Sequence, residues 1–372
     1  MATILHIIDN LGTGGAQTIL AQICSASTDH GDESIVVALR KDDDQWFVDN
    51  AGSSTTVIRN PIASKVLSLF GLIGLLLKAR RVIRDQHVIA VHSHLPISQL
   101  FAIVLRLISP QRAVKWCTSV YGTRLQVPMY FKYFLPLVRN CNQFLFSILQ
   151  DYDLAGSERD RCVVIKVPFT STELYPDEPG VEQLKKDTGI CSSEVLVLGV
   201  TRFTQDKLMD KYEPLFAYLS SMPNCRVVFV GAGDLHDSYR RKAVVQGWGN
   251  VHFPGIVRES TTLYRRADIM ITLSINSHYS VAALNAAACG CIVVSLNLGS
   301  QVRAVEIIDS AAPQYLKILA CDSQTSLLST VSRLIENSEL RNRIQQGVRA
   351  RNEKAAKIRN LELYYAAYHN AT

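Results

Sequence analysis

Short β-branched runs recur along this chain, each followed by a stretch of helical character. Thr3–Ile8 reads as a buried strand, followed by the glycine-rich turn LGTGGAQ and helical residues 18–24. Residues 34–39 and Thr55–Arg59 are two more strands. A long helix over 64–84 comes next, then a strand over 87–92, a helix over 98–108 and a strand over 114–120. After residue 190 the pattern restarts, with strands over 194–200, Cys225–Val230, 250–253, 269–273 and 292–295 and helices between them, such as 211–222. Parallel neighbours in a sheet cannot be joined by a tight turn; they need a crossover, and a helix supplies it. The repeated order therefore predicts open parallel sheets with helices on both faces. The tail, 340–369, is helical, with Leu361, Tyr364, Tyr365 and Tyr368 on one apolar stripe.

The stretch STELYPDEPGVEQLKKDTGI, 171–190, breaks this pattern with two prolines, two glycines and many charges. It is predicted as the linker region between a first domain, 1–170, and a second, 191–350, with a C-terminal helix, 351–372, packing back on the first. A length of 372 residues fits two domains. Ligands of open parallel sheets sit beyond the carboxyl ends of the strands, so two such domains suit a two-substrate enzyme.

Hydrophobic residues make up 48% of the chain, enough for two cores, and no low-complexity segment or short repeat argues for disorder or a solenoid. The opening MATILHIIDN lacks a basic n-region, so no secretory signal is expected. The longest uncharged apolar run, 66–77, has twelve residues, short of the roughly 20 that span a bilayer. Nine cysteines are scattered without a Cys-x-x-Cys pair, which argues against structural zinc and for reduced thiols in a cytosolic protein. The net charge of +6 is unevenly spread: residues 59–139 hold twelve Lys or Arg and one acid, Asp85. No nucleic-acid-binding motif accompanies this stretch. Its cations alternate with aliphatic and aromatic bulk (VLSLFGLIGLLLKARRVIR, then VPMYFKYFLPLVR), which suits an anionic membrane surface. A core helix with a solvated basic face is the plainer alternative.

Four segments carry candidate chemistry. In LGTGGAQ, Gly12, Gly14 and Gly15 allow close backbone approach, and the next helix offers its N-terminal N–H groups to an anion. Gln17 stands where the dinucleotide fingerprint has a third glycine, and the same residues also suit a turn with no ligand. In LGVTRFTQDK, Arg202 and Lys207 follow a strand; a departing diphosphate needs such cations, Arg clamping two oxygens and Lys adding a point charge. In VVFVGAGD, Gly231 and Gly233 admit a close backbone approach, expected near a base or ribose. In SINSHYSVAALNAAACG, Ser277 or Ser280 caps a helix whose N-terminus favours a phosphate, and Asn285 can hydrogen-bond a ribose hydroxyl without carrying charge. His92 and His94 end a strand, yet no carboxylate or third histidine stands at useful spacing, so no metal site is expected. The acidic runs 42–44 and 151–153 follow no clear strand and read as solvated loops.

Taken in order, ILHIIDNLGTGGAQ, VHSHLPIS, TRFTQDK, VVFVGAGD, NVHFPGIV, LYRRADIMITLS and AAACGCIVVS resemble the motifs of family-4-type retaining glycosyltransferases of the GT-B fold, over roughly residues 3–310. The resemblance implies two Rossmann-like doubly wound domains facing across a cleft. The C-terminal one would bind a nucleotide-diphosphate sugar. The N-terminal one would bind a saccharide or lipid-linked saccharide, in polysaccharide or lipopolysaccharide assembly. It implies Arg202 and Lys207 as catalytic groups, Gly14, Gly15, Gly231, Gly233, Ser277, His278, Tyr279 and Asn285 around the donor, and His94 and Tyr121 on the acceptor side. It implies no metal or cofactor, and a cytoplasmic protein peripheral at the inner face of the cell membrane. The chain departs from the family at three places. The Glu-x7-Glu motif falls on Ser277 and Asn285, a strand-end histidine falls on Tyr121, and the Asn-Gly before the linker is absent from VIKVPFTSTELY. These departures also admit a non-catalytic GT-B subunit that binds a partner enzyme or glycan, or a nucleotide-sugar epimerase or hydrolase on the same fold.

Overall fold

The apolar strands assemble into two parallel sheets, one in each of two compact units. The computed structural model describes residues 1–12, 14–40, 45–61, 69–111, 113–120, 144–148, 162–165, 194–207, 209–257, 260–272, 281–296, 318–321, 323–355 and 361–369. The first unit comprises residues 1–170 and 359–372, the second 171–358.

In the first unit β1 (Thr3–Ile8), α1 (Gly15–Asp29), β2 (Glu33–Ala38), α2 (Gln45–Asn50), β3 (Thr55–Arg59), α3 (Leu69–Asp85), β4 (Val88–Ser93), α4 (Pro96–Ile108) and β5 (Lys115–Val120) alternate as the sequence predicts, except that the short α2 is not expected from it. β6 (Phe144–Ile148) and β7 (Cys162–Ile165) extend the sheet beyond that expectation. The order is β3-β2-β1-β4-β5-β6-β7, parallel throughout. Alternate residues of each strand point to opposite faces. Leu5, Ile7, Ile35, Val37 and Val91 pack with Leu75, Ala79 and Ile83 of α3 and Phe101 and Leu105 of α4. Ile8, Val36 and Ala38 pack with α1 and α2 on the other face, against Leu20, Cys24 and Phe47.

The second unit runs β8 (Val195–Val200), α5 (Glu213–Leu219), β9 (Cys225–Val230), α6 (His236–Val245), β10 (Val251–Gly255), α7 (Ser260–Arg266), β11 (Ile269–Thr272), α8 (Val281–Ala288), β12 (Ile292–Leu296), β13 (Ile318–Cys321), α9 (Gln324–Glu336) and α10 (Ser338–Ala355). Its order is β10-β9-β8-β11-β12-β13. The helix expected over 211–222 is shorter, because Pro214 has no N–H to donate and is accepted only in a first turn; tight 3₁₀ turns over Gln205–Lys207 and Met209–Tyr212 precede α5 instead. A last helix, α11 (Leu361–His369), returns to the first unit.

Both sheets reverse their strand order at the same place: β1 lies between β2 and β4, and β8 between β9 and β11. Connections leave such a pair in opposite directions and open a crevice beyond their carboxyl ends, where ligands of doubly wound sheets bind.

Candidate functional site

In the second unit, the chain leaving β8 continues along β9. Thr201 N donates to Val230 O (3.0 Å), Phe203 N to Ala232 O (2.9 Å) and Leu235 N to Phe203 O (3.0 Å). Gly231 (φ 139°) and Gly233 (φ 152°) make this possible: a Cβ on Gly231 would overlap the Thr201 carbonyl oxygen, and one on Gly233 the Phe203 carbonyl oxygen. The close approach expected at these glycines is thus made by the chain's own loop. Phe203 is fully buried and meets His236 and Phe253 edge-on, at 5.1 and 5.7 Å between ring centroids, which anchors the loop in the core. Its neighbour Arg202 is exposed, and Lys207 is half-buried at the end of the 3₁₀ turn, its N–H donating to Thr204 O (3.1 Å). Both cations therefore sit on one anchored loop at the carboxyl end of β8.

The other strand at this reversal, β11, leads toward α8. Ala283, Ala286 and Ala287 are at most 1% exposed, so small side chains let the helix lie close to the sheet. Gly290 (φ 85°) ends it, with Gly290 N on Ala287 O (2.9 Å) and Cys291 N on Ala286 O (3.0 Å). Asn285 is half-buried on α8. Ser277, Ser280, His278 and Tyr279 lie outside the described residues, as do Tyr121 and the acidic runs 42–44 and 151–153.

The corresponding place in the first unit has the opposite electrostatics. Asp9, which the sequence reading passed over, follows β1 and is 9% exposed; its carboxylate accepts a hydrogen bond from Ser98 N (2.7 Å) in the first turn of α4. Burial raises its carboxyl above the usual range, opposed by the N–H groups of Ser98 and Ile97. The anion site at that helix N-terminus is thus filled from within the chain. Gln17 donates through Nε2 to Asn10 Oδ1 (2.8 Å) and Asn10 O (3.2 Å), fastening the glycine-rich turn beneath exposed Gly14, while Gly15 opens α1. A side chain on Gly14 would strike the Gln17 carboxamide. His94, expected on the acceptor side, is fully buried.

His94 belongs to a cluster, and the expectation of no third histidine is corrected by His6. Parallel pairing places residue 6 beside residue 92, a neighbour their sequence separation hides. His6, His92 and His94 are all fully buried, and one ring nitrogen from each falls within 4.8 Å of the others, a spacing that can hold a metal ion. The nitrogens are nonetheless largely engaged: His6 Nδ1 with His94 Nε2 (3.2 Å), His92 Nδ1 with the Tyr368 hydroxyl of α11 (2.6 Å), and His92 Nε2 with Ser119 Oγ (2.9 Å). Burial holds all three below the usual histidine range, His6 at about 3. This is a neutral hydrogen-bonded network under α11. An unfolded chain takes up protons here near pH 6.5 that the folded chain refuses. Stability is therefore complete above about pH 6.5 and falls below it, by about 1.4 kcal/mol per pH unit for each imidazole that stays neutral. Thermal melts from pH 8 to pH 5 are expected to show a midpoint dropping steeply through the lower half; a flat midpoint would contradict the neutral cluster.

Residues 180–351 match the family model of glycosyl transferases group 1. No curated protein matches the chain in sequence. Among solved structures, the chain is similar to HepE of Anabaena in complex with UDP and glucose, with a TM-score of 0.75 and 15% identity over 99% of each chain. It is similar to sucrose-phosphate synthase of Thermosynechococcus elongatus, at 0.71 and 16% over 99% of each. It is also similar to WaaG, a glycosyltransferase involved in lipopolysaccharide biosynthesis, at 0.70 and 14% over 99% of this chain and 100% of that one. At these identities the likeness speaks for architecture, and it extends over both units. The chain therefore has the GT-B fold, and the match to the glycosyl transferases group 1 model falls within its second unit.

Proposed function

We propose that this chain is a retaining glycosyltransferase that moves a sugar from a nucleotide-diphosphate donor to a saccharide or lipid-linked saccharide. The contrast between the two strand reversals carries this reading. Exposed Arg202 and half-buried Lys207 stand at the second, whereas Asp9 and neutral imidazoles occupy the first. A diphosphate belongs with the cations, and an uncharged sugar hydroxyl suits the other place. The complexes of HepE with UDP and with UDP-glucose support a donor of this class. In the reaction, the bond between the anomeric carbon and the diphosphate oxygen breaks while the acceptor oxygen bonds to that carbon on the same face. The acceptor proton passes to the departing phosphate oxygen, so no enzyme nucleophile is required. Arg202 and Lys207 take the developing negative charge, a role a divalent ion fills where such cations are missing. The setting is polysaccharide or lipopolysaccharide assembly at the inner face of the cell membrane, reached through the basic stretch 59–139. No helix among the described residues is long and apolar enough to cross a membrane.

Titration of the protein with UDP, GDP, dTDP and their common sugars, followed by thermal midpoint with Arg202→Ala as control, tests this. A ligand that raises the midpoint of the wild type but not of the variant places a donor on Arg202. No shift with any of them at about millimolar concentration, where ordinary substrate sites are occupied, favours a non-catalytic GT-B subunit, the reading to which the neutral Asn285 points. Position 285 has its own test. A carboxylate forms stronger hydrogen bonds to hydroxyls than an amide does, by about 1.4 kcal/mol or tenfold. Asn285→Glu is expected to lower the donor KM by about that factor; an unchanged KM would remove residue 285 from the donor's contacts.

A further inference from the structure

We infer that the outward faces of α3 and α4 form a single docking surface for an anionic lipid bilayer. Both helices cover the same face of the first sheet and share one core. Leu75, Ala79 and Ile83 of α3 are at most 2% exposed, turned to the sheet. The opposite stripe of α3 carries Phe70 (83% exposed), Ile73 (47%) and Leu77 (59%), and continues one and two turns later into Arg81 and Arg84. On α4, Phe101, Ala102 and Leu105 are buried, while Val104 (44%) and Leu107 (75%) stand out on the other side. A folded chain that leaves this much aliphatic and aromatic surface on two neighbouring helices has something to cover it.

The charge around the patch says what. Lys78, Arg80, Arg81 and Arg84 are all exposed on α3. The one acid on either helix, Asp85, is taken up by Arg84 (2.6 Å) and Arg81 (3.2 Å). Arg106 of α4 lies over the Trp116 ring, 5.9 Å from its centroid. Apolar side chains projecting from two helices, rimmed by cations, form ridges rather than a groove. Ridges enter the soft headgroup and acyl boundary of a bilayer, and the cations meet its phosphates. A protein partner would have to provide a matching groove and desolvate the cations at its rim. The docking surface deepens the proposed function, on whose membrane-held acceptor it rests for its purpose, by naming the residues that meet the membrane.

The test is flotation of the full chain with phosphatidylcholine vesicles, with and without about 30 mol% phosphatidylglycerol, an anionic content that gives a strong surface potential. The wild type is expected to float with the anionic vesicles and not with the neutral ones, and about 0.5 M salt is expected to release most of it. Phe70→Glu combined with Leu107→Glu is expected to lower the partition by at least about tenfold. Arg80→Ala combined with Arg81→Ala is expected to lower it by about 30-fold. All four positions are exposed, so unchanged thermal midpoints check the folds. Failure of the wild type to float, or flotation of both variants like the wild type, overturns the proposal. So does a dimer in solution that the glutamate pair dissolves while no vesicle binding is seen, since a second copy then covers the face. Flotation uses neither nucleotide nor turnover. A chain that floats but binds no nucleotide sugar refutes the transferase reading alone, and the reverse result refutes the docking surface alone.

Discussion

Arg202→Ala is expected to lower turnover by about 100–1000-fold while leaving the fold intact, the range seen when one group aimed at a developing charge is removed. The guanidinium is exposed on a loop held by backbone bonds and by buried Phe203, so its loss removes little packing. The stability change is expected to stay within about 0.5 kcal/mol. The diphosphate is already anionic in the bound donor and gains further charge as the sugar departs, so donor binding weakens and kcat falls as well. Arg202→Lys is expected to restore only part of the rate, because an ammonium cannot clamp two oxygens at once. Lys207→Ala is expected to follow the same pattern with a smaller loss, about tenfold for a single point charge. Steady-state kinetics at saturating donor decide the matter; a wild-type kcat in Arg202→Ala removes the cation from the reaction.

Gly231→Ala is expected to be the most damaging small substitution in the second unit. Residue 231 adopts φ 139°, which side chains rarely tolerate, and its Cβ would overlap the Thr201 carbonyl. Strain and overlap each cost about 1–3 kcal/mol, so a loss of about 2–6 kcal/mol is expected in urea unfolding. The damage has a direction. Thr201 precedes Arg202, so whatever relieves the overlap moves the cation, and donor binding should weaken even in the folded fraction. Gly249→Ala supplies the contrast, since nothing lies within 4 Å of its Cβ and its φ is not positive. It is expected to change stability by less than about 0.5 kcal/mol. Equal stability of the two variants would mean that residues 201–203 are not held against β9 in solution.

Local features of the sequence predicted what they could. Strands such as Thr3–Ile8 and Cys225–Val230 are largely apolar runs, each broken by a single polar or charged residue (His6, Arg226), and they stand where the sequence pattern puts them. The four residues of β7 and of β13 are too few for a periodic signal, and β6 follows a long stretch without a repeating pattern. The loop of Arg202 and Lys207 was legible because strand, glycine pair and cations lie within a few tens of residues. The roles of Asp9 and His6 were not, since their partners Ser98, His92 and His94 come nearly ninety positions later, about the span of three strand–helix units, and only the parallel order brings them close. A histidine inside an otherwise apolar strand is nevertheless a signal in itself, because a buried polar ring needs partners.

The first unit is not a contiguous stretch of chain. α11 is held to it by the Tyr368 hydroxyl on His92, by Lys115 Nζ reaching the carbonyls of Ala367 (3.4 Å) and Tyr368 (3.1 Å), and by His369 on Asp32 (2.6 Å). A growing polypeptide therefore makes the first sheet first and adds the last helix of that unit at the end. Without residues 361–369, His6, His92 and His94 lack their cover, whereas residues 171–358 contain all of their own described strands and helices. The half translated second is thus the one that is contiguous in the chain. A chain ended just before residue 361 would carry every described strand and helix of the second unit joined to a first one that lacks its closing helix.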